Sequence, residues 1–141
     1  MNIGEQRSFC LVVDLVSNMT ENKVTVQIQK TLPEVFEFTI NPINTHKWVN
    51  GIKSESRDSE EISIGTKYIN DTGSYVVSAY EENKLFELTS NNLPYKCWYT
   101  YRYINDNTTE MTYTEKMTDG SELSDPFTQD TLNKLKEVME S

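Results

Sequence analysis

The chain has 141 residues and a formal net charge of −9. That length fits one domain with its own hydrophobic core, and the negative charge disfavours nucleic acid, whose phosphates need a basic surface. Only one histidine and two cysteines, Cys10 and Cys97, are present, so a structural zinc site lacks ligands. We therefore expect no metal and no cofactor, and the lack of a long apolar run argues against membrane insertion.

Residues 1–22 differ in character from the rest of the chain. The apolar segment 9–16 is interrupted by Asp14 and has no basic cluster before it, so it is a poor secretory signal. We interpret 1–22 as an extension that is either unstructured or adds an edge strand, and 23–141 as the domain proper. A protein without a signal is expected in the cytoplasm, where both cysteines would stay free thiols.

The domain is predicted to open with a strand and two short helices. Apolar and polar residues alternate over 23–30, which is the pattern of a half-buried strand. Thr31 and Glu34 have the spacing of a capping box at the start of a helix, which a following Asn-Pro pair would end. A second short helix or turn is predicted over 43–48, with Trp48 packed beneath both helices.

Polar turns and glycines divide the next stretch into short segments that resemble strands. Each segment is rich in apolar, β-branched or aromatic residues, as strands are. The predicted strands are 52–57, 65–69, 75–80 and 85–89. Consecutive short strands joined by tight turns favour an antiparallel sheet.

The segment 95–117 contains five of the eight tyrosines and is predicted to form a β-hairpin. Because side chains alternate between the two faces of a strand, four tyrosines fall on the face that is predicted to point inward. These four are Tyr99, Tyr101, Tyr103 and Tyr113. Buried phenols need hydrogen-bond partners, so this face indicates either a pocket with polar groups or an ordinary sheet whose hydroxyls reach its rim.

Two titratable side chains are candidates for acid–base chemistry. Glu115 shares the face of Tyr113, and a carboxylate in an apolar cavity could act as an acid or a base. If the end of the strand already lies outside the cavity, Glu115 is solvated, and we favour that alternative. His46 could act as a general base at a cavity mouth, but an exposed loop histidine is the simpler interpretation.

A long helix is predicted at the end of the chain, with Asp125 as its N-cap and Pro126 at its first position. Its inward-facing residues fall within one arc of about 140°. They are Phe127, Thr131, Leu132, Leu135, Val138 and Met139. The helix therefore has a face to bury, and the sheet is the only predicted element large enough to cover it.

One strand, two short helices, a run of further strands and a long final helix give an α+β fold. Four motifs follow in that order: Val24-Thr-Val-Gln-Ile, the stretch from Leu32-Pro-Glu-Val-Phe36 to Asn41-Pro-Ile-Asn-Thr-His-Lys-Trp48, Ile64-Gly-Thr-Lys-Tyr68, and the tyrosine hairpin. Their order and spacing over about 23–140 resemble the START/SRPBCC superfamily, which includes polyketide cyclase-like and lipid-transfer domains.

The resemblance implies a helix-grip fold, in which a curved antiparallel sheet of six to seven strands wraps around the C-terminal helix. It also implies a cavity for an apolar or aromatic ligand between the sheet and that helix. The residues expected to line the cavity are Phe86, Leu88, Tyr99, Tyr101, Tyr103, Met111, Tyr113, Glu115, Leu132 and Leu135. No catalytic residues are carried over, because members of this superfamily share no catalytic set.

Three functions fit such a domain. The first, which we favour, is binding or transport of a hydrophobic or aromatic small molecule, because the chain displays no nucleophile–base pair or metal set. The second is a polyketide cyclase or aromatase, in which tyrosine hydroxyls would steer proton transfers. The third is an interaction module of the chaperone-activator type. In each case we expect a monomer or a homodimer.

Overall fold

The structure of the protein, a computed structural model, describes residues 19–141. The predicted edge strand at 9–16 and Cys10 lie outside the described residues. Within residues 19–141, no helix combines the length and the apolar character that a membrane crossing needs.

Seven strands form one curved antiparallel sheet, which confirms the predicted α+β class. Each strand from the second onward pairs with the next one in the sequence, and the first strand closes the order beside the last. The strands are β1 (Glu21–Ile28), β2 (Glu55–Arg57), β3 (Lys67–Asn70), β4 (Gly73–Glu81), β5 (Leu85–Ser90), β6 (Tyr95–Asn105) and β7 (Thr108–Met117). Their spatial order is β1-β7-β6-β5-β4-β3-β2, so the tyrosine hairpin β6–β7 lies inside the sheet rather than at an edge.

Two short helices follow β1, as predicted. They are α1 (Leu32–Ile40) and α2 (Thr45–Trp48), and a single 3₁₀ turn (Pro42–Asn44) joins them. The capping box is present: Glu34 N donates to Thr31 Oγ1 at 3.3 Å, and Thr31 N donates to Glu34 Oε1 at 3.0 Å. These bonds satisfy backbone donors at the start of α1 that the helix itself leaves unpaired.

The last helix, α3 (Gln129–Glu140), begins later than predicted. Its N-cap position is Thr128, so Asp125 and Pro126 precede the helix. The backbone N–H of Phe127 donates to Glu115 Oε2 at 2.6 Å, which ties this segment to β7. A tertiary bond to a carboxylate therefore holds residue 127 in a loop, where local capping preferences alone would start a helix.

The core lies between the sheet and the helices. Leu132 and Leu135 on α3 are completely buried, and α3 packs against β1 and α2. Trp48, the last residue of α2, is 1% exposed, so it is buried as predicted. Its ring meets the rings of Tyr99 and Phe127 edge-on, with centroid distances of 6.1 and 6.4 Å. This contact joins the α2 end of the helical layer to the tyrosine hairpin.

Candidate functional site

A cavity of about 470 Å³ lies on the inner face of the sheet. Strands β2 to β7 form its wall, residues 49–52 after α2 cover one side, and residues 122–127 before α3 cover another. Its aromatic and aliphatic wall is built by Tyr68, Tyr75, Phe86, Leu88, Tyr95, Tyr99, Tyr113, Met117 and Phe127. The cover is thus made of two loops rather than of the C-terminal helix.

Five of the ten residues predicted for the cavity line it. They are Phe86, Leu88, Tyr99, Tyr113 and Glu115. The aromatic members contact one another: the Tyr99 ring lies 5.6 Å from that of Phe86 and 5.4 Å from that of Tyr113, centroid to centroid. Strand alternation predicted this cluster because Tyr99 and Tyr113 also face each other across β6 and β7.

The other five predicted residues lie outside the cavity. Met111, Leu132 and Leu135 are completely buried in the dry core, because α3 closes directly onto β1 and α2 there. Tyr101 packs under α1, where its hydroxyl lies 2.6 Å from Thr39 Oγ1. The inward prediction for Tyr103 is wrong: it is 57% exposed and its hydroxyl donates to Asp106. Tyr103 lies near the hairpin tip, where neighbouring residues are also exposed and the covering layer has ended.

Glu115 is buried, so the solvated position that we favoured for it is wrong. It is 2% exposed, and three donors surround its carboxylate. Tyr95 OH donates to Oε1 at 2.8 Å, while Asn22 Nδ2 and the Phe127 backbone N–H donate to Oε2 at 2.9 and 2.6 Å. One side chain thereby connects β1, β6 and the loop before α3. Such a set of partners is what makes a buried carboxylate tolerable.

The hydroxyls of Tyr95 and Tyr113 form a chain that ends at Glu115. They lie 2.8 Å apart, and the single hydroxyl proton of Tyr95 is already directed at the carboxylate, which can only accept. Tyr113 must therefore donate to Tyr95. Burial raises the pKa of both phenols, and nearby acidic groups raise it further. Both hydroxyls keep their protons at neutral pH.

Tyr99 offers the cavity an unused hydroxyl. The side chain is only 8% exposed, yet its hydroxyl has no hydrogen-bond partner among residues 19–141. Only Trp48 Nε1 is both sealed from solvent and unpaired among the described side chains, so the Tyr99 hydroxyl reaches open space. The space that Tyr99 borders is the cavity. Burial raises the pKa of this phenol well above its ordinary value, so the hydroxyl keeps its proton at neutral pH and can donate a hydrogen bond.

Glu55 is a second cavity carboxylate, and sequence reasoning did not single it out. Thr45 Oγ1 donates to its Oε1 at 2.6 Å and Asn70 Nδ2 donates to its Oε2 at 2.8 Å. Burial raises the pKa of Glu55, and these two neutral donors oppose that rise. Nothing in the polar stretch around Glu55 could reveal this position, because the groups that hold it come from α2 and from the neighbouring strand β3.

Tyr95 lines the cavity although it was not predicted to, and His46 does not line it. Extending the alternation of β6 by two positions would have found Tyr95. His46 is exposed on α2 and does not line the cavity, in line with the simpler of its two interpretations. Among residues 19–141, no three histidine, cysteine or carboxylate side chains are grouped as a metal site requires.

Cys97 also borders the cavity, between the two carboxylates in the wall. Burial raises the pKa of its thiol to about 12, and the nearby charges of Glu115 and Glu55 also contribute to the rise. A thiol is nucleophilic only as the thiolate. Cys97 is therefore an inert wall residue at neutral pH rather than a nucleophile.

Comparisons with known proteins establish the fold and no more than the fold. No model of a protein family matches the sequence, and no curated protein matches it. Among solved structures, the protein XoxI from Bacillus cereus is similar with a TM-score of 0.61 and 12% identity, over 85% of this chain and 95% of that one. A conserved protein of unknown function from Enterococcus faecalis gives a TM-score of 0.62 and 13% identity, over 84% of this chain and 70% of that one.

A third similar structure, a protein from Nitrosospira multiformis, has a TM-score of 0.61 and 13% identity, over 83% of this chain and 94% of that one. At such identities the shared property is the architecture, and architecture alone does not determine function. The curved sheet and its helices are compatible with the helix-grip fold, but none of these three structures names a family.

Proposed function

We propose that the protein binds a hydrophobic or aromatic small molecule in the cavity between the sheet and the loops 49–52 and 122–127, as a domain of the START/SRPBCC type. The observation that carries this proposal is the hydroxyl of Tyr99, which opens into an aromatic cavity and has no hydrogen-bond partner among residues 19–141. A phenol hydroxyl that opens into a mostly apolar cavity is a hydrogen-bond donor at a fixed position, and such groups orient ligands in small-molecule sites. A ligand would supply that hydrogen-bond partner.

The size and chemistry of the cavity support the same proposal. Its volume of about 470 Å³ lies within the range of roughly 300–1,000 Å³ that is typical of small-molecule sites. Aromatic and aliphatic side chains make up more than half of its lining, and threonine, serine, asparagine and acidic side chains make up most of the rest. This composition favours a molecule with an apolar body and one or two polar groups.

Native mass spectrometry of the full chain, purified without detergent from the organism that makes it, tests the proposal. We expect an added mass that disappears on denaturation. The variant Cys97→Phe places a ring in the cavity from β6 and should lose that mass. Thr100→Phe is the matched control, because Thr100 lies on the same strand but faces the other side of the sheet and does not line the cavity.

Thermal unfolding of both variants establishes that they fold. Loss of the mass from Cys97→Phe alone would support binding in the cavity. A wild-type protein without added mass, which also shows no thermal shift with a library of lipids and aromatic compounds, would contradict the proposal. Equal occupancy in both phenylalanine variants would place the ligand elsewhere.

A second candidate, a cyclase-like or aromatase-like enzyme, is favoured by one observation: the chain of Tyr113, Tyr95 and Glu115 puts a phenol and a carboxylate within 2.8 Å. The raised pKa of both phenols and the three donors on Glu115 fit positioning better than proton transfer. If the copurified molecule is converted by the wild type, loss of turnover in Tyr113→Phe with retained binding would favour the enzyme.

A further inference from the structure

The described lining of the cavity is acidic and has no basic side chain. It includes the four acidic residues Glu55, Glu115, Glu122 and Asp125, whereas no lysine, arginine or histidine among residues 19–141 contributes to it. Arg57, two residues from Glu55, donates to the carbonyls of Ser59 and Glu60 and, at 3.3 Å, to the hydroxyl of Tyr68. It lines a neighbouring groove that Glu55 also borders, but it does not line the cavity. A carboxylate or phosphate ligand would therefore enter without a cationic partner, which is strongly unfavourable in an enclosed site.

The two carboxylates of the inner wall differ in what they can offer a ligand. Glu115 already accepts hydrogen bonds from Asn22, Tyr95 and Phe127, so both of its carboxylate oxygens are occupied by donors of the protein itself. Among residues 19–141, Glu55 accepts only from two neutral groups, Thr45 and Asn70. Within the same part of the chain no ion pair to Glu55 is present. Glu55 thus borders the cavity without a cationic partner from the described residues.

Aromatic rings surround the space next to Glu55. Tyr68, Tyr75 and Tyr99 line the same cavity as Glu55. In the β2–β3 register Glu55 lies opposite Asn70, two positions from Tyr68, so Glu55 and Tyr68 share one face of the sheet. The faces of aromatic rings attract cations, and the attraction is stronger where water is excluded. A carboxylate beside aromatic rings is a combination that suits an organic ammonium group.

From this arrangement we infer that the ligand is an amphipathic amine, with its ammonium group at Glu55 and its apolar body against the aromatic wall beside Tyr99. This inference rests on the proposed function, since it specifies the chemistry of the molecule that the cavity binds. It excludes fatty acids and other anionic lipids as the natural cargo. A charged hydrogen bond from the ammonium would supply the partner that Glu55 lacks.

The test compares ligands that share an apolar body and differ in the polar group. Naphthylmethylamine, naphthylmethanol and naphthoate form one series, and decylamine, decanol and decanoate form another. Each is titrated into the full chain at neutral pH while backbone amide NMR signals are followed. Shifts at Cys97, Tyr99 and Tyr113 would locate the ligand in the cavity. We expect the amine of a series to bind at least about tenfold more tightly than the carboxylate, with the alcohol between them.

Two variants separate the local charge of Glu55 from the net charge of the protein. Glu55→Gln should weaken amine binding by about tenfold and change alcohol binding by less than about twofold. Glu61→Gln makes the same change of charge at an exposed residue outside the cavity and should leave both affinities unchanged. Thermal unfolding of each variant confirms that it is folded.

The outcomes distinguish this inference from the proposed function. If the carboxylate of either series binds as tightly as the amine, or if Glu61→Gln weakens the amine as much as Glu55→Gln does, the amine inference is overturned while the binding function stands. If no member of either series shifts the cavity signals and the native protein carries no added mass, the binding function itself falls.

Discussion

Glu55 and Glu115 border the same cavity, but they differ in burial and in their hydrogen-bond partners. Glu115 is 2% exposed and accepts hydrogen bonds from three donors on three different segments. Glu55 is half-buried and, among residues 19–141, accepts from two neutral donors only. The first carboxylate ties three segments together, and the second has no cationic partner among the described residues.

This difference shows that burial alone does not identify a functional carboxylate. A buried acid with a full set of donors is a structural element, and removing it leaves those donors unpaired. An acid with an incomplete set reduces stability and is kept where a ligand completes it. The more deeply buried residue of the pair is therefore the weaker candidate for ligand recognition.

The largest expected effect concerns Cys97, which lies between the two carboxylates and reports on their surroundings. Its pKa of about 12, against an ordinary 9.0, lowers the thiolate fraction at neutral pH by about a thousandfold. Reaction with iodoacetamide should be slower by about that factor than in the guanidinium-unfolded chain. Peptide mass spectrometry of Cys97 measures the reaction rates of the folded and the unfolded chain. A difference of less than about tenfold would contradict the buried, acidic surroundings of this thiol.

Truncation of Glu115 should cause the next largest effect. Glu115→Ala leaves Asn22, Tyr95 and the backbone N–H of Phe127 without their acceptor, so we expect a loss of about 3 kcal/mol in the free energy of unfolding. Urea unfolding followed by circular dichroism measures it. Glu115→Gln keeps one acceptor oxygen and should lose less; equal losses in the two variants would mean that packing, rather than hydrogen bonding, makes Glu115 important.

The hydroxyl of Tyr95 should contribute less than the carboxylate to which it donates. Tyr95→Phe leaves one acceptor site of Glu115 and the hydroxyl of Tyr113 unpaired, so a loss of about 1–2 kcal/mol is expected in the same urea experiment. Tyr113→Phe removes only the donor to Tyr95 and should cost less. Tyr103→Phe, at an exposed position, is the control that should stay close to wild type. A control loss as large as that of Tyr95→Phe would refute the chain of hydroxyls.

The smallest effect should have the opposite sign. Because the pKa of Glu55 is raised in the folded state, its protonated form favours folding, and that contribution is lost as the pH rises above the ordinary 4.5 through the raised value. Glu55→Gln should therefore be more stable than wild type at neutral pH, by less than about 1 kcal/mol, and the two should converge in acid. Urea unfolding at neutral and at acidic pH measures the difference in free energy of unfolding between the two proteins. If Glu55→Gln is less stable than wild type at neutral pH, Glu55 stabilises the fold as Glu115 does, and the prediction is wrong.

Much of the fold could be predicted from local patterns. The alternation in β1, the capping box of Thr31 and Glu34, and the tyrosine hairpin each depend on residues close together in the chain, so the structure reproduces them. The cluster of Tyr99 and Tyr113 follows from the same alternation. Such features depend on backbone geometry and on short-range hydrogen bonds, and both can be seen in a few consecutive residues.

The wrong predictions share one cause: the segments that pack over a strand come from other parts of the chain. Tyr101 and Tyr103 have the same parity as Tyr99, yet one packs under α1 and the other is exposed at the hairpin tip. α3 starts later than predicted, and the backbone N–H of Phe127 instead donates a hydrogen bond to Glu115, twelve positions earlier in the chain. Periodicity tells which face a side chain is on, but it does not tell what lies opposite that face.

By itself, the sequence determined the antiparallel sheet, the two short helices, the final helix and the tyrosine face, because each follows from contacts within a strand, a hairpin or a helical turn. Only the tertiary structure decided that Glu115 is enclosed and that Glu55 faces the cavity. The partners of Glu115 come from β1, β6 and the loop before α3, and those of Glu55 come from α2 and β3. A side chain's electrostatic situation is a property of all the segments that meet around it, so it exists only once the chain has folded.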